Sequence, residues 1–137
     1  MSNSDLKSKV AEIIESKSKA ELLIDLLTIL DEDSSSSKLK VIHALNKAWT
    51  HVIRRGDLKP NKNEENDKYK SWIRDVFQQS WNKLTELISN EDSRISNLVI
   101  STTVGFILTL HEANNEGMLK NHGVSPNLNS PIVLLLT

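Results

Sequence analysis

A chain of 137 residues, 38% hydrophobic and 26% charged, has the length of one packed domain and too much apolar content for a disordered one. Its net charge of −1 excludes a global field that would drive it onto nucleic acid or an anionic membrane, so any attraction to RNA must be local. The sequence has no cysteine, which excludes disulfides and thiolate metal sites and suits the cytosol or nucleus.

The opening MSNSDLKSKV lacks the apolar core that a secretory signal needs. A first helix is expected over residues 4–15, with Leu6, Val10, Ile13 and Ile14 on one face. A second opens at Ser18-Lys19-Ala20-Glu21, which has the form of a capping box, and carries Leu22, Leu23, Leu26, Leu27, Ile29 and Leu30 inward. Within it, Leu23-Ile24-Asp25-Leu26-Leu27 matches the LxxLL pattern of groove-docking helices, but core packing explains the same spacing more simply. Asp31-Glu32-Asp33 and the serines Ser34 to Ser37 then break the pattern and supply the next N-cap. Phosphate added there would sit at a helix start, where the dipole favours negative charge; a plain linker is the simpler reading. The third helix turns Leu39, Ile42, Leu45, Trp49, Val52 and Ile53 inward and stops at Gly56, the preferred residue past a helix end.

Residues 57–67 contain Pro60 and a run of Asn, Lys and Glu, so a solvated loop is expected. The fourth helix covers residues 68–88, with Tyr69, Trp72, Ile73, Val76, Phe77, Ser80, Trp81, Leu84, Leu87 and Ile88 at three- and four-residue steps. Trp72 and Trp81 project about 180° apart at 100° per residue, so this helix should be wrapped on two sides with Trp49, Trp72 and Trp81 largely buried. A fifth helix begins near Asp92 and uses Ile95, Leu98, Val99, Thr102, Phe106 and Leu110, with Gly105 placed to let a neighbour approach closely. The apolar-leaning stretch 98–110 is too short to span a bilayer and reads as a core helix.

These elements predict an all-α fold of about five amphipathic helices. The domain covers residues 1–112, and residues 113–137, with Gly117, Gly123, Pro126 and Pro131, form an irregular tail. The fourth and fifth helices together occupy about one period of a HEAT or armadillo array, roughly 40–47 residues. An open stack of helical hairpins is therefore expected rather than a closed four-helix bundle. The apolar run Ser130 to Thr137 either docks as a final strand or half-helix, or marks a truncated product of a longer gene.

No catalytic arrangement stands out. Scattered glycines build neither a phosphate loop nor a dinucleotide fingerprint, and Asn115 stands where a zinc helix begun by His111-Glu112 needs its second histidine. His43 and His51 are eight residues apart, too far to share a metal. The reading is a binding protein, not an enzyme, with no cofactor, metal or small-molecule substrate and no membrane. The third helix runs from Lys38 to Arg55 without an acid, and Lys40, His43, Lys47, His51 and Arg54 step by three, four, four and three along one face. Lys40, Lys47, Arg54 and Arg55 are the candidate phosphate or RNA contacts, against the simpler reading of an ordinary solvated face.

The order of features also carries a resemblance. A Leu-rich helix, a helix ending in Arg55-Gly56-Asp57-Leu58, a polar loop, then Lys68-Tyr69-Lys70 followed by Trp72-Ile73-Arg74 resembles the N-terminal region of the nucleolar complex protein 4 family, over roughly residues 16–110. The resemblance implies a non-catalytic scaffold of the nucleus and nucleolus, acting in small-ribosomal-subunit assembly and pre-ribosomal RNA processing. Its implied partners are a companion nucleolar assembly factor and the small-subunit pre-ribosome. Members of that family are several times longer, which favours the truncated product. The alternatives are a generic helical protein-interaction adaptor, or a small RNA-binding domain acting through the third helix.

Overall fold

Caps and breakers set the helix ends. The computed structural model describes residues 3–32, 34–59 and 68–120, with side chains over residues 5–113 of that span. It contains α1 (Asn3–Glu15), a 3-10 turn (Lys17–Lys19), α2 (Leu22–Leu30), α3 (Ser35–Arg55), α4 (Lys68–Glu86), a second 3-10 turn (Leu87–Ser89) and α5 (Ser93–Lys120), with no strand among the described residues. The expected capping box at Ser18 is not formed. Ser16 takes the cap instead, its Oγ accepting from the Ser18 amide, and α2 starts behind Glu21 with no side-chain cap. Ser34 caps α3 by accepting from the Ser37 amide at 3.3 Å, which satisfies one orphan donor of the first turn.

The odd-numbered helices pack in sequence, α1 on α3 and α3 on α5, with the α3–α5 contact the most extensive; α2 packs on both α3 and α4. Leu23, Leu26 and Leu27 are buried, so the LxxLL string serves the core and only Ile24 and Asp25 reach the surface. An aromatic cluster joins the later helices: Phe77 of α4 meets Trp49 of α3 edge-on at 5.0 Å and Phe106 of α5 at 5.8 Å. Trp49 is fully buried, and its indole Nε1 donates to Ser80 Oγ at 3.0 Å while Ser80 donates to the Val76 carbonyl. Each polar atom brought inside with that pair therefore has a partner. Lys38 turns back to the α2 carboxyl end, donating to the carbonyls of Leu30 and Glu32. That uses its charge where the helix dipole favours a cation.

Three expectations need correction. Trp72 is 36% exposed, whereas Trp49 and Trp81 are buried. It stands roughly 100° around the α4 axis from the buried Ile73, outside the inward stripe, and packs on Tyr69. Among the described residues, nothing beyond the helix's own backbone lies within 4 Å of where a Cβ at Gly105 would stand, so no neighbour there exploits that position. Finally, α5 continues through Gly117 to Lys120, past the point where the tail was expected to begin. A single helical glycine costs about 0.5–1 kcal/mol relative to alanine, too little to end a helix. Residues 121–137, including the apolar run, and residues 60–67, most of the expected loop, lie outside the described residues. The longer α5 also contains one stretch, Ser93–Ala113, long and apolar enough to cross a membrane. Its inner face, with Ile95, Val99 and Phe106, belongs to the protein core.

Candidate nucleic-acid interface

Gly56 ends α3 with φ +89°, and the Gly56 and Asp57 amides donate back to Ile53 and Val52. This is a Schellman closure, in which the left-handed residue lets the chain reverse while orphan carbonyls are satisfied. The reversal drives Asp57 inside, only 1% exposed. Its Oδ2 accepts from Arg55 Nε and Nη2 at 2.9 and 2.7 Å and from the Tyr69 hydroxyl at 2.7 Å. Lys17 lies 3.6 Å from the other carboxylate oxygen and 5.6 Å from the centre of the Tyr69 ring. Arg55 also reaches the Ile14 carbonyl at the end of α1. One buried carboxylate thus ties together α1, α3 and α4. Burial pushes the Asp57 carboxyl up, but the bonds from Arg55 and Tyr69, with the charges of Arg55 and Lys17, outweigh it and hold it below its ordinary value. Burial and the bond to Asp57 push Tyr69 up to about 12.

Arg55 is therefore not a surface contact. Of the four residues proposed from sequence, Lys40, Lys47 and Arg54 remain together on the exposed face of α3 and Arg55 turns away from them. The structure places His43, Asn46, Lys47, Thr50, His51 and Arg54 along one groove of about 420 Å³, walled on its far side by Ile14 of α1. No acidic residue lines it. Lys40 continues the same line toward the start of α3. Thr50 donates to Asn46 Oδ1 at 3.3 Å, which leaves the Asn46 amide nitrogen as a free donor beside the cations. Lys9, Lys17, Arg55, Lys83 and Arg94 all sit in ion pairs, whereas no ion pair among the described residues involves Lys40, His43, Lys47, His51 or Arg54.

Comparison of the chain with family models, curated proteins and solved structures returned no match in any of the three. The site must be read from its own geometry. Among the described residues no three His, Cys, Asp or Glu side chains converge closely enough to hold a metal ion. Sequence reasoning missed Asp57, although a lone acid directly after a helix-ending glycine, with an arginine two residues before it, was a signal for such a clasp. It also missed Asn46 and Thr50, which carry no charge and fall between the cations of the stripe. A different surface lies on α5. Ile100, Val104 and Leu108 are 45%, 48% and 57% exposed at four-residue steps, and Asn97 and Ser101 beside them carry no charge.

Proposed function

We propose that this protein is a non-catalytic helical scaffold that works by binding another protein, in small-ribosomal-subunit assembly and pre-ribosomal RNA processing in the nucleolus. The observation that carries the binding part is the bare ladder of Ile100, Val104 and Leu108 on α5. Large apolar side chains repeated at helical spacing on an uncharged face suit the helix-in-groove mode, with an amphipathic helix of a companion assembly factor as occupant. The nucleolar part rests on the resemblance of the Arg55-Gly56-Asp57-Leu58 and Lys68-Tyr69-Lys70 segments. Arg55, Gly56, Asp57 and Tyr69 are all parts of the clasp, so the resemblance marks an element of the fold rather than a contact surface. An open, HEAT-like stack of hairpins belongs to the same proposal. Contacts of α1 with α3, α3 with α5 and α2 with α4 support it, since such arrays bring each helix against its counterpart in the next pair.

The test is native purification of the tagged full chain from cells, beside a Val104→Asp variant that puts a charge in the ladder. Small-subunit assembly factors and precursor RNA should accompany the parent, and the protein partner should be lost from the variant. Recovery of other proteins through the same ladder would replace the ribosomal reading with that of a general helical adaptor. Equal recovery by parent and variant would remove α5 as the docking face.

A further inference from the structure

The basic groove on α3 has a chemistry distinct from that of the α5 ladder. Lys40, His43, Lys47, His51 and Arg54 recur about once per helical turn, so their side chains form a straight row with a step of about 5–6 Å along the axis. The row holds three cations, Lys40, Lys47 and Arg54, seven residues or about 10 Å apart along the axis with no acid lining the groove, and it fits a polymer of regularly spaced anions. Two of its members are imidazoles, planar rings on which bases can stack, and they flank Lys47. Asn46 and Thr50 add neutral hydrogen-bonding groups between the charges. Such groups suit ribose hydroxyls and base edges, which an acidic peptide does not offer. A membrane surface would need apolar side chains beside the cations, and among the groove residues only Ile14 is apolar.

We propose that the groove between α3 and the end of α1 binds single-stranded RNA along its phosphate backbone, with Lys40, Lys47 and Arg54 on phosphates and His43 and His51 against the bases. The proposal goes beyond the scaffold reading and stands apart from it, since it uses neither the α5 ladder nor any partner protein. Arg55 has no part in it, because its guanidinium is committed to Asp57.

The experiment is fluorescence-anisotropy titration of the full chain with labelled oligouridine across a series of salt concentrations. The comparison is between Lys40→Gln/Lys47→Gln/Arg54→Gln and a control of equal charge change on other exposed cations, Lys19→Gln/Lys68→Gln/Arg74→Gln. Contacts to single strands contribute about −0.7 each to the slope of log K against log salt, so the groove variant should flatten that slope by about two and weaken low-salt binding roughly tenfold or more. The control should match the parent. Circular dichroism of both variants establishes that they are folded, and all substituted positions are exposed. An RNA affinity and salt slope unchanged in the groove variant, or equally reduced in the control, would overturn the proposal. So would tighter binding to an RNA duplex than to oligouridine, or equal competition by polyglutamate, which would reassign the groove to an acidic protein. A failed pull-down through α5 with intact RNA titration, or the converse, identifies which of the two readings is wrong.

Discussion

Arg54 and Arg55 are neighbours in sequence and share a side-chain chemistry, yet they belong to different parts of the molecule. Arg55 folds over the reversal at Gly56 onto a buried carboxylate and a tyrosine hydroxyl, while Arg54 points out with the unpaired row on α3. The difference comes from geometry, since one residue is about 100° of helical rotation. It teaches that a basic run has to be divided by what each cation faces before any of it is assigned to a ligand. The clasp is an internal tie that contributes stability. The row, lacking internal partners, contributes little to stability and is available to something outside.

The sharpest way to break that contrast is to remove one charge from each side of it. Asp57→Ala should destabilise the protein by about 2–4 kcal/mol, because it strands a partly buried guanidinium and a partly buried hydroxyl. Arg54→Ala should stay within about 0.5 kcal/mol of the parent, as exposed substitutions usually do. Urea denaturation of both variants decides it, and comparable losses would show that the row is also structural. Next in size is Gly56→Ala, expected to cost about 1–2 kcal/mol because φ +89° forces a Cβ into the left-handed region. A neutral result in the same titration would mean the reversal tolerates another geometry.

Tyr69→Phe should cost about 1.5 kcal/mol at neutral pH, the low end for a hydrogen bond to a charged acceptor because Asp57 keeps its bonds from Arg55. It also sharpens the contrast through pH. The Tyr69 pKa is raised from 10.0 to about 12 in the folded state, so its contribution is fully present below pH 10 and is lost as pH rises toward 12. The parent's lead over Tyr69→Phe in denaturation midpoint should shrink across that window. A lead that stays constant there would show that the hydroxyl does not bond to Asp57.

The helices were legible because apolar spacing and punctuation agreed: Ser34 begins α3 and Gly56 ends it, as their residue types require. Residues whose roles depend on a distant partner were not. Nothing local to Asp57 announces that Tyr69 and the end of α1 will surround it, and its burial follows only once the chain has reversed. Trp72 was misjudged for a related reason. Its place in the three- and four-residue pattern, with both sides of α4 expected to be covered, put it inside, whereas on α4 it falls at the margin of the buried stripe. Within the groove, the periodic cations could be read from their spacing, but Asn46, Thr50 and the wall at Ile14 appear only when α1 packs beside α3.

Trp49 sits fully buried with its indole nitrogen bonded to Ser80, while Trp72 stands at the surface on the neighbouring helix. The chain therefore carries two tryptophans in the interior, Trp49 and Trp81, and one at the surface, so its fluorescence has an inner and an outer component that report on different events. A soluble quencher reaches the outer ring and silences its longer-wavelength emission, leaving a blue-shifted signal dominated by the interior. That residual colour follows the joining of α3 to α4 without any attached dye, and the quenched component reports what comes to rest on the outside of α4.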